Sequence, residues 1–460
     1  MAGLGFEGQL RKLLKRDSLS ATLSAYVYAG VVNAGPLVLS ILGILLIGFI
    51  SQSVLRSSVY IVQFQVSVTY LIAASLIITG ALQLLFSRFV SDRLFTHEND
   101  RILSAYNAVS LVATAITGLL GLVLALTVFR GESFAYRALM LAAFVAISQV
   151  WLGVIFLASV KQYRAILAAF FIGYAVIVIT ALLLDRFGVE GLLAGFLLGH
   201  IALLMYLSAV IHRQFHSPRY ISWDVFNRRY AYPSLVFVGL LFNLGVWLDK
   251  IMFWFSGTGQ DVIGPLRASV IYDIPVFISY LCIIPGMAVF LLRLETDFVE
   301  HSTGYYGATL SGGTLGQIRL LRDQMVSSAR MALYEILKIQ IVVVLLIFAF
   351  GESLLRAIGI SVLYMPLLQV DVIAASLQVL FLGVLNIFFY LDRRRIVLKL
   401  TALFVVLNGL FTWLTLEIGP NSYGYGFAGS LLAVTLISVY TLNYCFDKLE
   451  FDTYMLQESS

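Results

Sequence analysis

Polar positions interrupt the apolar ones only at long intervals. Twelve apolar runs stand out, at 24–50, 60–87, 103–129, 137–160, 165–184, 188–211, 230–256, 269–292, 331–350, 367–390, 396–416 and 424–446. A helix rises about 1.5 Å per residue, so about 20 apolar residues cross the roughly 30 Å hydrocarbon core of a bilayer. A barrel strand would instead alternate over about 10 residues, and none of these runs does. The pattern predicts an all-α polytopic membrane protein with twelve transmembrane helices. Arg11, Lys12, Lys15 and Arg16 precede the first run, which far exceeds a signal-peptide core of about 7–15 residues, so it reads as a retained helix. Over residues 4–15, Phe6, Leu10, Leu13 and Leu14 share one face and the charges another, which predicts an interfacial amphipathic helix.

The loops set an orientation. Of the 30 Lys and Arg residues, 22 fall on segments that share a side with the N-terminus, 6 fall on the other side, and Lys250 and Lys338 lie within spans. Basic residues accumulate on the cytoplasmic side, which predicts that both termini are cytoplasmic.

The two halves of the chain repeat a pattern. GVIFLASVKQYRAILAAF from Gly153 and GVLNIFFYLDRRRIVLKL from Gly383 share an apolar–basic–apolar order at an offset of 230 residues, half the chain. Glycines open the sixth and twelfth runs, and Ser58-Val59-Tyr60 and Ser269-Val270-Ile271 open the second and eighth. Six spans per half is an even number, so the halves share one orientation, as in parallel repeats about an axis along the membrane normal. The expected organisation is a cytoplasmic N-tail (1–23), an N-terminal six-helix bundle (24–211), a cytoplasmic linker (212–229), a C-terminal six-helix bundle (230–446) with a cytoplasmic loop at 295–330, and a cytoplasmic C-tail (447–460). The two bundles are related by a pseudo-two-fold axis, and in such folds the substrate path runs between them near the midplane.

Composition removes other classes. Of 460 residues, 60% are hydrophobic and 12% charged, against about 25% charged in soluble domains; mean hydropathy is +0.94. A water-soluble enzyme and a disordered chain are both excluded. The net charge of +5 resides in short loops, so it reads as a topology signal rather than a nucleic-acid face. Cys282 and Cys445 lie in apolar runs and suggest neither a disulfide framework nor a metal site.

Enzyme signals are absent. No G-x-x-x-x-G-K-[ST] phosphate loop occurs, and the Gly-rich stretch Gly304–Gly316 lacks the lysine, so it is expected to be a flexible cytoplasmic loop. His212 and His216 are four apart without a clear third ligand, so a solvated loop is expected rather than a metal site. No cofactor is expected.

Charges within spans are the informative class, because each costs about 2.5–3.5 kcal/mol at the bilayer centre. Asp249 and Lys250 sit deep in the seventh span, and Asp273 lies near the outer end of the eighth, followed by Pro275. Adjacent helical residues point about 100° apart, so Asp249 and Lys250 need not pair with each other. They are candidates for a proton, ion or sugar path, or for a structural ion pair between helices. Glu335 and Lys338 have the spacing of an intrahelical pair. Asn33, Gln63, Gln65 and Asn243 add uncharged polar groups to the first two spans of the halves, and Gly35-Pro36 is a candidate hinge. Ordinary helix–helix hydrogen bonding explains the same polar residues equally well.

Three segments carry a resemblance. The start MAGLGFEGQLRKLLKRDSLSATLSAYVYAGVVNAGPLVLSILGILLIG, the segment NLGVWLDKIMFWFSG around Asp249 and Lys250, and GGTLGQI at 312–318 resemble the PelG family of Pel exopolysaccharide transporters. Gly8 lengthens the family's usual start. That family belongs to the multidrug/oligosaccharidyl-lipid/polysaccharide (MOP) exporter superfamily, and the likeness covers nearly the whole chain. It implies export of a growing N-acetylgalactosamine-rich polysaccharide across the bacterial inner membrane. It also implies partners: a cytoplasmic PelF-like glycosyltransferase and PelD-like and PelE-like membrane proteins. It supplies no catalytic residues. Three readings compete with export in a synthase complex: a stand-alone lipid-linked oligosaccharide flippase driven by an ion gradient through Asp249 or Asp273, a multidrug antiporter, and a non-transporting scaffold. Within 295–330, Leu315, Ile318, Leu321 and Met325 recur at helical spacing, which predicts an amphipathic helix against a partner or the membrane.

Overall fold

A computed structural model describes residues 58–227 and 232–455. The expected helices at 4–15 and 24–50, with Asn33, Gly35 and Pro36, lie outside the described residues. Fourteen α-helices follow in order: α1 (Ser58–Phe95), α2 (Ile102–Thr127), α3 (Phe134–Ser159), α4 (Tyr163–Leu184), α5 (Gly188–Gln214), α6 (Pro233–Trp254), α7 (Val270–Leu281), α8 (Ile284–Leu292), α9 (Val299–Leu310), α10 (Leu315–Ala357), α11 (Met365–Tyr390), α12 (Arg394–Ile418), α13 (Tyr425–Asp447) and α14 (Leu449–Met455). Among the described residues, ten helical stretches are long and apolar enough to cross a membrane. One of them, Tyr163–Gln214, contains both α4 and α5, separated by a single 3-10 turn at Asp185–Phe187. The described chain clusters into two compact units, residues 58–227, 232–247 and 253–269 in the first, and 248–252 and 270–455 in the second.

In the first unit the core is aromatic: Phe86, Tyr106 and Phe156 pack with ring centroids 5.3–6.0 Å apart. Lipid offers no hydrophobic drive for helix association, so close packing and hydrogen bonds must supply it. Both are present. A Cβ on Gly239 would fall 1.9 Å from the Gly80 carbonyl oxygen, so α1 and α6 cross with their backbones in contact. Ser67 and Tyr136 share a 2.8 Å hydrogen bond, Trp151 donates to Ser75 at 3.0 Å, and Ser110 donates to Gln149 at 2.5 Å. Residues 215–227 are laid along α2: Asn107 donates to the Tyr220 carbonyl at 2.8 Å and Val225 is fully buried.

A small antiparallel hairpin, β1 (Gln260–Ile263) and β2 (Leu266–Ala268), departs from the wholly helical expectation. The Gly264-Pro265 pair supplies its two-residue turn. Tyr70 of α1 fixes it by donating to the Arg267 carbonyl at 2.9 Å and by stacking on Trp254 at 4.4 Å.

In the second unit the expected span at 269–292 is two helices. Pro275 lies inside α7 and Pro285 opens α8, where its missing N–H costs least. A π-helical turn, Arg293–Phe298, then leads into α9. The flexible loop expected at Gly304–Gly316, within the cytoplasmic segment 295–330, is instead helix, turn and helix. Glycine in a helix costs about 1 kcal/mol relative to alanine, but Ser302 and Tyr305 are buried and hold α9 in place. The turn needs only 311–314, where Gly312 takes φ +75° and Thr314 caps α10 by accepting from the Gln317 N–H at 3.3 Å. The amphipathic spacing is real in part: Ile318 and Met325 are buried, whereas Leu315 is exposed. With 43 residues, α10 is about 64 Å long, roughly twice the hydrocarbon thickness. The C-terminal helix α14 is tied down by ion pairs from Glu450 to Arg322 (2.5 Å) and Arg319 (3.6 Å), by Asp452 to Arg393, and by Tyr305 to Thr453 at 3.2 Å.

Candidate functional site

Asp249 and Lys250 are buried together inside the second unit, Asp249 completely and Lys250 3% exposed. Their backbone directions diverge, yet the side chains do pair: the Lys250 ammonium donates to Asp249 Oδ2 at 3.0 Å and Oδ1 at 3.2 Å. Helix geometry left their pairing open, and they pair because the flexible four-carbon lysine stem can fold back on its neighbour.

Three other helices complete the pair. Tyr272 of α7 donates to Asp249 Oδ2 at 2.6 Å, and Asn408 of α12 donates to Oδ1 at 3.4 Å. Thr412, one turn on, donates to the Asn408 carbonyl oxygen at 3.0 Å, which fixes the amide orientation. The ammonium sits 4.3 Å from the ring centroid of Phe427 (α13) and 5.1 Å from that of Tyr280 (α7). Buried charges survive only when paired and hydrogen-bonded, and here both ions are.

A second carboxylate lies close by without that provision. Asp371 of α11 is 1% exposed, and among the described residues neither of its oxygens has a hydrogen-bond partner. Asp371 Oδ1 rests against Gly424, where an added Cβ would stand 3.0 Å away. It is within electrostatic reach of both Lys250 and Asp249. An isolated buried carboxylate is costly unless neutralised or paired. Among the described residues, the site therefore holds one satisfied ion pair and one acid without a hydrogen-bond partner.

The other predicted residues are dispersed. Asp273 is half-buried in the first turn of α7. Gln63, half-buried, donates to the Val262 carbonyl at 3.4 Å, holding the hairpin of the first unit. Gln65 is half-buried one turn before Thr69, which donates to the Gln65 carbonyl at 2.8 Å. Asn243 donates to the Gly239 carbonyl of its own helix at 2.9 Å. The expected Glu335–Lys338 pair does not form. Glu335 accepts from Arg293 at 2.5 and 3.0 Å, and Lys338 lies over the Tyr334 ring at 4.7 Å. An arginine from the facing π-helical turn offers a bidentate fork that the intrahelical lysine cannot match. His212 contacts the Ser208 carbonyl at 2.8 Å, and His216 lies beyond the end of α5. Among the described residues, no group of three His, Cys, Asp or Glu side chains gathers.

Sequence reasoning missed Tyr272, Tyr280, Asp371 and Asn408. The rule that singled out Asp249 also applies to Asp371, a lone acid in the apolar run 367–390. Asn408 is a polar residue in the run 396–416. The tyrosines carry no signal, because many tyrosines in such a chain belong to interface belts.

A polar network enclosed by apolar helices suits a membrane transporter, and solved structures share the fold. The chain is similar to an outward-facing multidrug resistance MATE family transporter of the MOP superfamily, with TM-score 0.64, 13% identity and coverage of 96% of this chain and 98% of the other. It is similar to a MATE structure in the straight conformation, with TM-score 0.65, 12% identity and coverage of 97% and 99%. It is also similar to a MOP superfamily transporter from Pyrococcus furiosus, with TM-score 0.62, 14% identity and coverage of 98% and 99%. At such identities the likeness establishes the fold. The chain belongs to the PelG family, described as "Putative exopolysaccharide Exporter (EPS-E)", whose family model matches residues 1–454. No curated protein sequence matches it.

Proposed function

We propose that this chain exports a growing Pel-type, N-acetylgalactosamine-rich polysaccharide across the bacterial inner membrane. It does so with twelve spans in two six-helix bundles and both termini in the cytoplasm. It works in a complex with a PelF-like glycosyltransferase and PelD-like and PelE-like membrane proteins. The observation that carries the reading is the PelG family match over residues 1–454. The cluster of Asp249, Lys250 and Asp371 is the site at which the helices of the second unit change state during export, because a second buried acid, without a hydrogen-bond partner among the described residues, lies within electrostatic reach of the Asp249–Lys250 pair. The test is secreted polymer per membrane-inserted protein, with affinity purification in mild detergent alongside. Loss of secretion in Asp249→Asn or Lys250→Met, at unchanged insertion and with the partners still co-purifying, supports the reading. Full secretion in both variants would return the pair to a structural role and favour the scaffold.

A second reading has one observation in its favour. The unbonded Asp371 carboxylate suits a group that takes up and releases a cation or proton, as a stand-alone ion-coupled flippase requires. Flux that ignores imposed proton and sodium gradients would remove it, together with the antiporter.

A further inference from the structure

The first unit holds a cavity that the transport site does not use. Its volume is about 240 Å³, and Leu71, Ala74, Leu124, Met140, Phe144 and Leu266 are among its walls. An apolar cavity of about 150 Å³ already stays dry and accepts benzene, so this one takes hydrocarbon in preference to water. Val128, on its rim, is 49% exposed and continues into the exposed apolar face of α2 at Leu122, Val123 and Leu126. In a bilayer that face meets acyl chains.

One charged residue, Arg137, stands among the residues that line the cavity. It lies in the first turns of α3, beside the last turn of α2. A cation near a helix end sits at headgroup depth. Its Nε is buried without a hydrogen-bond partner, and its hydrogen bond to the Ala125 carbonyl is long, at 3.4 Å. Among the described residues no carboxylate pairs with it. A guanidinium with unused donors at the mouth of a hydrocarbon pocket matches a phosphate carried on an acyl chain.

We propose that this is a binding site for an anionic phospholipid, with one acyl chain in the cavity and the phosphate on Arg137. The inference rests on the chain being embedded in lipid and is independent of what it transports. The test uses the full-length protein, delipidated in detergent, and native mass spectrometry. Three probes are offered separately: dioleoylphosphatidylglycerol, dioleoylglycerol and inorganic phosphate. One phosphatidylglycerol is retained by the unaltered protein, dioleoylglycerol is not, and inorganic phosphate does not displace the lipid. Arg137→Gln weakens retention about tenfold, the loss expected for one charge-assisted hydrogen-bonded contact, whereas Arg137→Lys keeps most of it. Ala125→Phe, which fills the cavity, also removes retention, with helical content compared to establish folding. Equal retention by Arg137→Gln and the unaltered protein overturns the proposal. So does equal retention of dioleoylglycerol, which would mean a hydrocarbon groove alone. Displacement by inorganic phosphate overturns it as well, since that would mean an anion site alone.

Discussion

The Asp249–Lys250 pair makes a quantitative prediction. Their side chains are 0% and 4% exposed, so solvent does not screen the pair. Breaking a buried pair by neutralising one member costs about 3–5 kcal/mol, because the other charge is left stranded. Asp249→Asn strands the ammonium against Phe427 and Tyr280, whose ring faces return about 2 kcal/mol when desolvated. The expected loss is therefore near the low end, about 3 kcal/mol. Lys250→Met leaves the Asp249 carboxylate with two donors, Tyr272 at 2.6 Å and Asn408 at 3.4 Å. It should cost less, about 2 kcal/mol. The double variant removes both charges and replaces the lysine by an apolar chain, so its cost falls well below the sum. The assay is equilibrium unfolding of the detergent-solubilised protein for all four members of the cycle. A coupling of about 2–3 kcal/mol is expected; single costs that add to within about 0.5 kcal/mol would refute the reasoning.

Further outcomes follow from the same structure. Asp371→Asn removes an acid that has no hydrogen-bond partner among the described residues, so stability should be unchanged or raised by about 1 kcal/mol, while secretion falls; a marked drop in unfolding free energy would show that Asp371 is paired in the folded protein. Gly239→Leu places a Cβ 1.9 Å from a backbone oxygen of α1, and forcing the helices apart should cost about 3 kcal/mol, read as reduced insertion and thermal stability. Glu450→Gln with Asp452→Asn removes the half-exposed pairs that tie α14 to Arg322 and Arg393. Each pair is worth about 1 kcal/mol or less, so limited proteolysis near the C-terminus should speed up while global stability hardly moves.

The helices were legible because span length is a strong constraint: the run at 367–390 becomes Met365–Tyr390, and that at 396–416 becomes Arg394–Ile418. What failed did so locally. Glycine content made 304–316 read as a loop, yet buried Tyr305 outweighs the helix propensity lost at Gly304 and Gly307. Pro275 was noted in the sequence, but whether a proline bends a span or divides it depends on the packing around it. The hairpin at 260–268 is short enough to vanish between two apolar runs. In the site, Asp249 and Lys250 announced themselves through the cost of burying charge. Their mutual contact, and the partners from α7 and α12, depend on long-range packing that a linear reading does not contain.

The most direct measurement is polysaccharide secreted per inserted molecule by the Asp371→Asn variant. Asp371 has no hydrogen-bond partner among the described residues and lies within electrostatic reach of Lys250, and the proposed function requires it for the transport cycle. The expected variant inserts and folds as the unaltered chain does and secretes little polymer. Secretion at the unaltered level from that well-folded variant would contradict the account.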